Sequence, residues 1–130
     1  MFLALKRVAL LAVFTTCWMF GASAQDAKRT ELKRADLTGT NMEVVLSITE
    51  ARPGESIARH FHHGEEAFYV LEGATIELPD GQQRKLEAGT ANINVREVPH
   101  GGIKVVGDNA LKLLTVHVAD KGRPLYEPAK

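Results

Sequence analysis

Apolar and polar residues alternate in short runs along most of this chain. Between Met42 and Glu50, Val44, Leu46 and Ile48 fall on one face of an extended segment. Arg52-Pro53-Gly54-Glu55 reads as a turn, with proline presetting φ and glycine accepting a positive one. Ile57–His62 is extended, and His63-Gly64 breaks it. Ala67–Glu72 and Ala74–Leu78 flank Gly73, and Pro79-Asp80-Gly81 is a hairpin turn. Further strands are expected at Gln83–Leu86, Ala91–Val95, Ile103–Val106 and Leu111–Ala119, with Gly107-Asp108-Asn109 as another tight turn. Residues 25–36 are mostly charged or small and read as a flexible extension or an edge strand. No window beyond the first two dozen residues carries a helical period. Many short strands at intervals of about 8–12 residues predict one all-β domain, a sandwich or barrel.

The start of the chain follows another pattern. Lys6 and Arg7 precede an apolar run from Val8 to Phe20, and Ala22-Ser23-Ala24 offers small residues at the spacing a signal peptidase cuts. Residues 1–24 therefore read as a secretory signal, which predicts an exported, periplasmic protein. A membrane anchor is the competing reading, but a run of 13 residues is short of the ~20 that span a bilayer core. Acylation of Cys17 is a weaker alternative, because Thr16 stands where a small residue such as Gly or Ala is usual. Removing 24 of 130 residues leaves 106, with 14 basic and 16 acidic side chains and no cysteine. The exported domain then has neither disulfide nor thiolate ligand. Balanced charge and few aromatics argue against nucleic acid as a partner. No membrane partner is expected after cleavage.

Four of the five histidines fall between positions 60 and 100. His60 and His62 are two apart, so both imidazoles leave one face of a strand. Glu66 can return opposite them on the next strand once the chain has turned at Gly64. His100, from a distant segment, would close a mononuclear metal site. Ligands on rigid strands hold such a geometry better than ligands on loops.

These residues bring in a family resemblance. Gly54, His60, His62, Glu66 and Gly73 reproduce the first motif of the cupin superfamily at every fixed position. Gly89 and His100 stand at the spacing of the second motif. The chain thus resembles the small single-domain cupins, over roughly residues 37–120, with 121–130 as a tail. It departs from the second motif where Val95 and Glu97 replace the usual proline and glycine, and where Lys104 replaces an asparagine. The resemblance implies a jelly-roll β-barrel with one divalent metal ion held by His60, His62, Glu66 and His100 near its mouth. Three imidazoles and a carboxylate suit Fe, Mn, Ni, Cu or Zn better than Mg or Ca.

Two functions stay open. One is a metal-dependent enzyme, dioxygenase-like or isomerase-like, acting on a small organic molecule. The resemblance suggests that Glu66 would then serve as both ligand and proton acceptor. The other is a non-catalytic ligand- or metal-binding module. His63 reads as a solvated turn residue and Glu65 as exposed. His117, sharing a face with Leu113 and Thr115, is either a pocket residue or a surface one. Glu97, His63 and His117 are the candidates for a second acid or base. Asn92 and Asn94 share a face whose direction the sequence leaves open. A chain this short without disulfides would also gain from forming a homodimer.

Overall fold

The computed structural model describes residues 25–130. The expected signal, with Cys17, lies outside the described residues. In chain order the strands are β1 (Lys28–Asp36), β2 (Met42–Ala51), β3 (Ser56–Ile57), β4 (His60–Phe61), β5 (Gly64–Glu72) and β6 (Ala74–Glu77). They continue as β7 (Gln83–Leu86), β8 (Ala91–Asn94), β9 (Ile103–Val106), β10 (Leu111–Asp120) and β11 (Glu127–Pro128). Every described regular element is a strand. One sheet runs β1-β2-β10-β5-β8 and a second runs β3-β9-β6-β7, while β4 pairs with β11. All strand pairings are antiparallel. The two large sheets face each other as a jelly-roll barrel, and both supply the core: Val70, Leu111 and Leu113 from one, Ile57, Ile76 and Val105 from the other.

The segment before Asp36 is an edge strand, paired with β2 and carrying a bulge between Glu31 and Lys33. The extended stretch expected over Ile57–His62 divides into β3 and β4, because the chain leaves the second sheet at Ala58-Arg59. The hairpin at Pro79-Asp80-Gly81 joins β6 to β7, with Gly81 at φ 82°.

On β2 the inward face is not the one richest in aliphatics. Val45, Ser47, Thr49 and Ala51 are buried, whereas Val44, Leu46 and Ile48 point outward and are half-covered. On β10, Leu113, Thr115 and His117 point inward beside them. An inner face carrying Ser, Thr and His is poorly suited to a dry core, and this one borders a cavity.

Gly64 does not need unusual backbone angles. Its requirement is space: a Cβ there would lie 2.0 Å from the Val118 carbonyl oxygen and 2.5 Å from the Ala119 Cα. Both are backbone atoms of β10 and cannot swing away. Gly64→Ala is therefore expected to cost about 2–3 kcal/mol by overpacking, lowering Tm by on the order of 10–15 °C for a domain this size. Thermal unfolding monitored by circular dichroism checks this. An unchanged Tm would mean that β5 and β10 separate more readily than their pairing implies.

Candidate metal centre

The barrel brings His60, His62, Glu66 and His100 together, with one donor atom from each lying within 4.8 Å of all the others. Backbone pairing sets the positions. The His60 and His100 main chains exchange hydrogen bonds of 2.9 and 2.8 Å, which fixes the two rings side by side. Gly101 and Gly102 follow in left-handed conformations, and a Cβ on Gly101 would strike the Ala58 carbonyl at 2.6 Å. Glu66 stands in a row across four strands with Val45, His117 and Asn94. It therefore faces inward from a rigid part of the sheet.

The outward nitrogens of the three histidines are all committed to main-chain carbonyls. His60 Nδ1 donates to Ala58 (2.7 Å), His62 Nδ1 to Leu125 (2.5 Å) and His100 Nδ1 to Val98 (3.0 Å). A carbonyl only accepts, so each Nδ1 carries the proton and each Nε2 presents a lone pair to the centre. His62 Nε2 lies 3.0 Å from His100 Nε2, 3.2 Å from Glu66 Oε2, and that oxygen is 3.1 Å from His100 Nε2. Lone pairs and a carboxylate oxygen at such distances repel unless a proton or a cation lies among them. Two donors bound at about 2.1 Å and at right angles would be about 3.0 Å apart. The spacing therefore fits a shared transition-metal ion. His60 Nε2, buried and without a hydrogen-bond partner, fits the same reading.

The surroundings orient Glu66. Asn94 Nδ2 donates to Oε2 at 2.8 Å, and His117 Nε2 lies 3.4 Å from Oε1. Burial opposes the charged carboxylate, but in the metal-free protein the hydrogen bonds it can accept from His100, His117 and His62 when those rings carry a proton at Nε2 outweigh burial and hold its pKa far below the usual range. His117 is wholly buried behind Glu66 and His62, so it is not a surface histidine. Tyr126, from the C-terminal strap, stands edge-on to His60, His62 and His117 at 5.0–5.3 Å between ring centroids. Burial pushes its phenol up to about 12.

His63 is not a solvated turn residue. It is buried, accepts a 2.9 Å hydrogen bond from Arg123 at Nε2, and lies 3.3–3.4 Å from the carboxylates of Glu127 and Glu97. The turn after His62 tucks it under the C-terminal strap, away from the metal ligands. Glu65 is exposed. Glu97 occupies a glycine position of the second motif and keeps a glycine-like φ of 58°. Its N–H donates to the His62 carbonyl at 2.9 Å, tying the loop before His100 to the histidine pair. Asn92 and Asn94 both face the cavity.

The centre opens into a cavity of about 310 Å³ between the two sheets. Its walls include Phe68, Ile76, Leu86 and Ile103, with Arg29, Arg84 and Asn92 as polar points. Sequence patterning does not reveal Tyr126, the Leu125 carbonyl or Arg29. The first two lie in a short proline-flanked tail, and Arg29 lies in a run of charges. Asn94 had a visible signal, its shared face with Asn92.

Fold and centre together define an all-β double-sheet barrel with a histidine–carboxylate cluster that could hold a metal ion. The family model described as "Cupin domain" matches residues 47–117, and the chain belongs to the cupin family. A conserved Klebsiella pneumoniae protein with a double-stranded β-helix domain is similar, at 24% identity and a TM-score of 0.62, over 83% of this chain and 88% of that one. The polyketide cyclase RemF of Streptomyces resistomycificus is 32% identical, with a TM-score of 0.56, over 82% and 75%. The DMSP lyase DddQ of Ruegeria pomeroyi shares the fold at 16% identity and a TM-score of 0.59, over 80% and 52%. No curated protein matches the chain.

Proposed function

We propose that this cupin is a metal-dependent enzyme acting on a small, oxygen-bearing organic molecule. The observation that carries this reading is the opening of the four-residue cluster into a cavity. A purely structural metal site would be sealed. Likeness to RemF, a polyketide cyclase at 32% identity, supports the enzyme class. His60, His62, Glu66 and His100 would hold the ion, with three neutral Nε2 donors and one carboxylate oxygen. When bound, a divalent transition metal supplies Lewis acidity and, for Fe, Mn, Ni or Cu, affinity for dioxygen.

The chain's own residues do the rest. Asn94 and His117 keep the Glu66 carboxylate aimed at the centre. A carboxylate that shares its charge with a metal ion and accepts a hydrogen bond from Asn94 would be a weak base, so as proton acceptor it suits only acidified protons, such as those beside a polarised carbonyl or on an enol. The Tyr126 hydroxyl remains protonated and is buried without a partner, ready to donate to a substrate oxygen. The aliphatic walls limit water around the reacting atoms. The leader expected over residues 1–24 supports a periplasmic setting.

The test begins with protein isolated from the periplasmic fraction, with Gln25 expected as its first residue. A panel of small β-diketones, enols and keto acids is followed by substrate loss and by an oxygen electrode. At least one compound should turn over, stop on chelation and resume when the metal is restored. Tight binding of panel members without turnover under any metal would favour a binding module and sink the enzymatic reading.

A further inference from the structure

We propose that the cavity selects a small organic carboxylate, with Arg29 as the residue that binds the carboxylate group. This assignment rests on the cavity being the substrate chamber of the metal centre. Arg29 lies on β1 opposite Thr49, a buried cavity residue of β2, and cross-strand partners share a face. The arginine therefore points inward. Its guanidinium carbon lies over the Tyr126 ring, 4.1 Å from its centre, a cation–π contact that holds the head group beside the metal cluster's aromatic neighbour. Among the described residues it has no carboxylate partner, whereas Arg34 and Arg96 are both paired with acids.

The cavity's charge points the same way. Among the described residues, Glu66 is the only acidic one lining the cavity, and it faces the histidines. Arg84, opposite the buried Ile76 on the other sheet, lines the cavity as a second cation. With Arg29, Arg84 and a divalent ion set against one carboxylate, the chamber is cationic and favours an anionic guest. A planar guanidinium fork matches a carboxylate in two parallel hydrogen bonds. The Tyr126 hydroxyl, buried beside it without a partner, adds a third donor. The aliphatic and aromatic walls leave little else for a fully hydrophilic anion such as phosphate. At about 310 Å³ the space is at the small end of ligand pockets.

An inward arginine on an edge strand has another use, blocking edge-to-edge association. Stacking on Tyr126 beside the metal cluster argues for the binding role, and the experiment separates the two. Benzoate, benzamide and inorganic phosphate are titrated calorimetrically into metal-loaded wild type, Arg29→Met, Arg29→Lys and Arg84→Gln. Metal content, Tm and sedimentation are recorded for each. Benzoate should bind wild type at least tenfold more tightly than benzamide and more tightly than phosphate. Arg29→Met should lose that preference, Arg29→Lys should recover part of it, and both should keep the metal and remain monodisperse. Equal binding of benzoate and benzamide, preference for phosphate, or full preference in Arg29→Met would overturn the assignment. So would metal loss or self-association in Arg29→Met, which would make the arginine structural. Wild type that held no metal yet preferred benzoate through Arg29 would refute the metal reading alone.

Discussion

Replacing His60 and His62 together with alanine is expected to take bound transition metal from roughly one ion per chain to near none. Four-ligand sites bind zinc with about 10–16 kcal/mol, or about 2.5–4 kcal/mol per ligand. Losing two ligands then weakens binding on the order of 10⁴-fold or more. The double variant also removes two Nε2 lone pairs from a crowded centre, so the metal-free domain itself should still fold. His63→Ala is the informative control. His63 touches Arg123, Glu97 and Glu127 and none of the metal-facing atoms, so that variant should keep its metal. Elemental analysis of protein prepared without chelator and without affinity histidines gives the answer. Metal retained by the double variant, or lost with His63, would mean that the ion sits elsewhere.

Acidification should release the ion in two stages. Burial opposes a charged His100, but the hydrogen bond with Glu66 and the Val98 carbonyl outweigh burial, and the ring's pKa in the metal-free protein is raised above 6.5. A proton on His100 therefore stabilises the metal-free fold below about pH 6.5, and that stabilisation is lost as pH rises through the raised value. The ion needs the neutral ring, so it competes with that proton near neutrality. Metal affinity should fall at least about tenfold per pH unit once His100 protonates. Burial, helped by His100 and His62, holds His60 at about 4. Its lone pair stays available through the first stage, and the fall steepens near pH 4. His60 also carries the opposite stability sign. The unfolded chain takes up a proton near 6.5 that the folded ring refuses, so this group destabilises the fold progressively as pH drops from about 6.5 to about 4. Competition with a chromophoric chelator between pH 8 and pH 4 measures the metal affinity. A flat profile down to pH 5 would exclude His100 as a ligand.

Much of this was legible in the sequence because it rests on spacing. His60 and His62 two apart, Glu66 beyond a glycine, and His100 at the end of a second motif determine which side chains can converge. The β-turns announced themselves through Pro53-Gly54 and Asp80-Gly81. What patterning concealed is which face of β2 points inward. Val44, Leu46 and Ile48 form the more apolar stripe, yet the barrel places Ser47 and Thr49 inside, because that wall borders a cavity lined with polar groups. Periodicity measures hydrophobicity and cannot tell a packed core from a chamber. The burial of His63 was hidden for a related reason. Its partners Arg123 and Glu127 lie about sixty residues away, and no local rule links a turn to so distant a strap.

That strap has a consequence for when the site comes into being. His62 is held in its ligating form by the carbonyl of Leu125, and Tyr126 closes the same side of the centre. During synthesis the imidazoles of β4 and the carboxylate of β5 emerge well before these residues. Until the last strand, β11, pairs with β4, nothing holds the His62 Nδ1 proton in place. A chain made only as far as β10 therefore presents loose, misaligned donors, and the four-residue cluster takes its geometry only once Leu125 and Tyr126 have docked. The geometry of the cluster is in this way tied to the docking of a segment 63 residues beyond His62, and disturbing Leu125 or Tyr126 would be felt at the cluster before it was felt in the barrel.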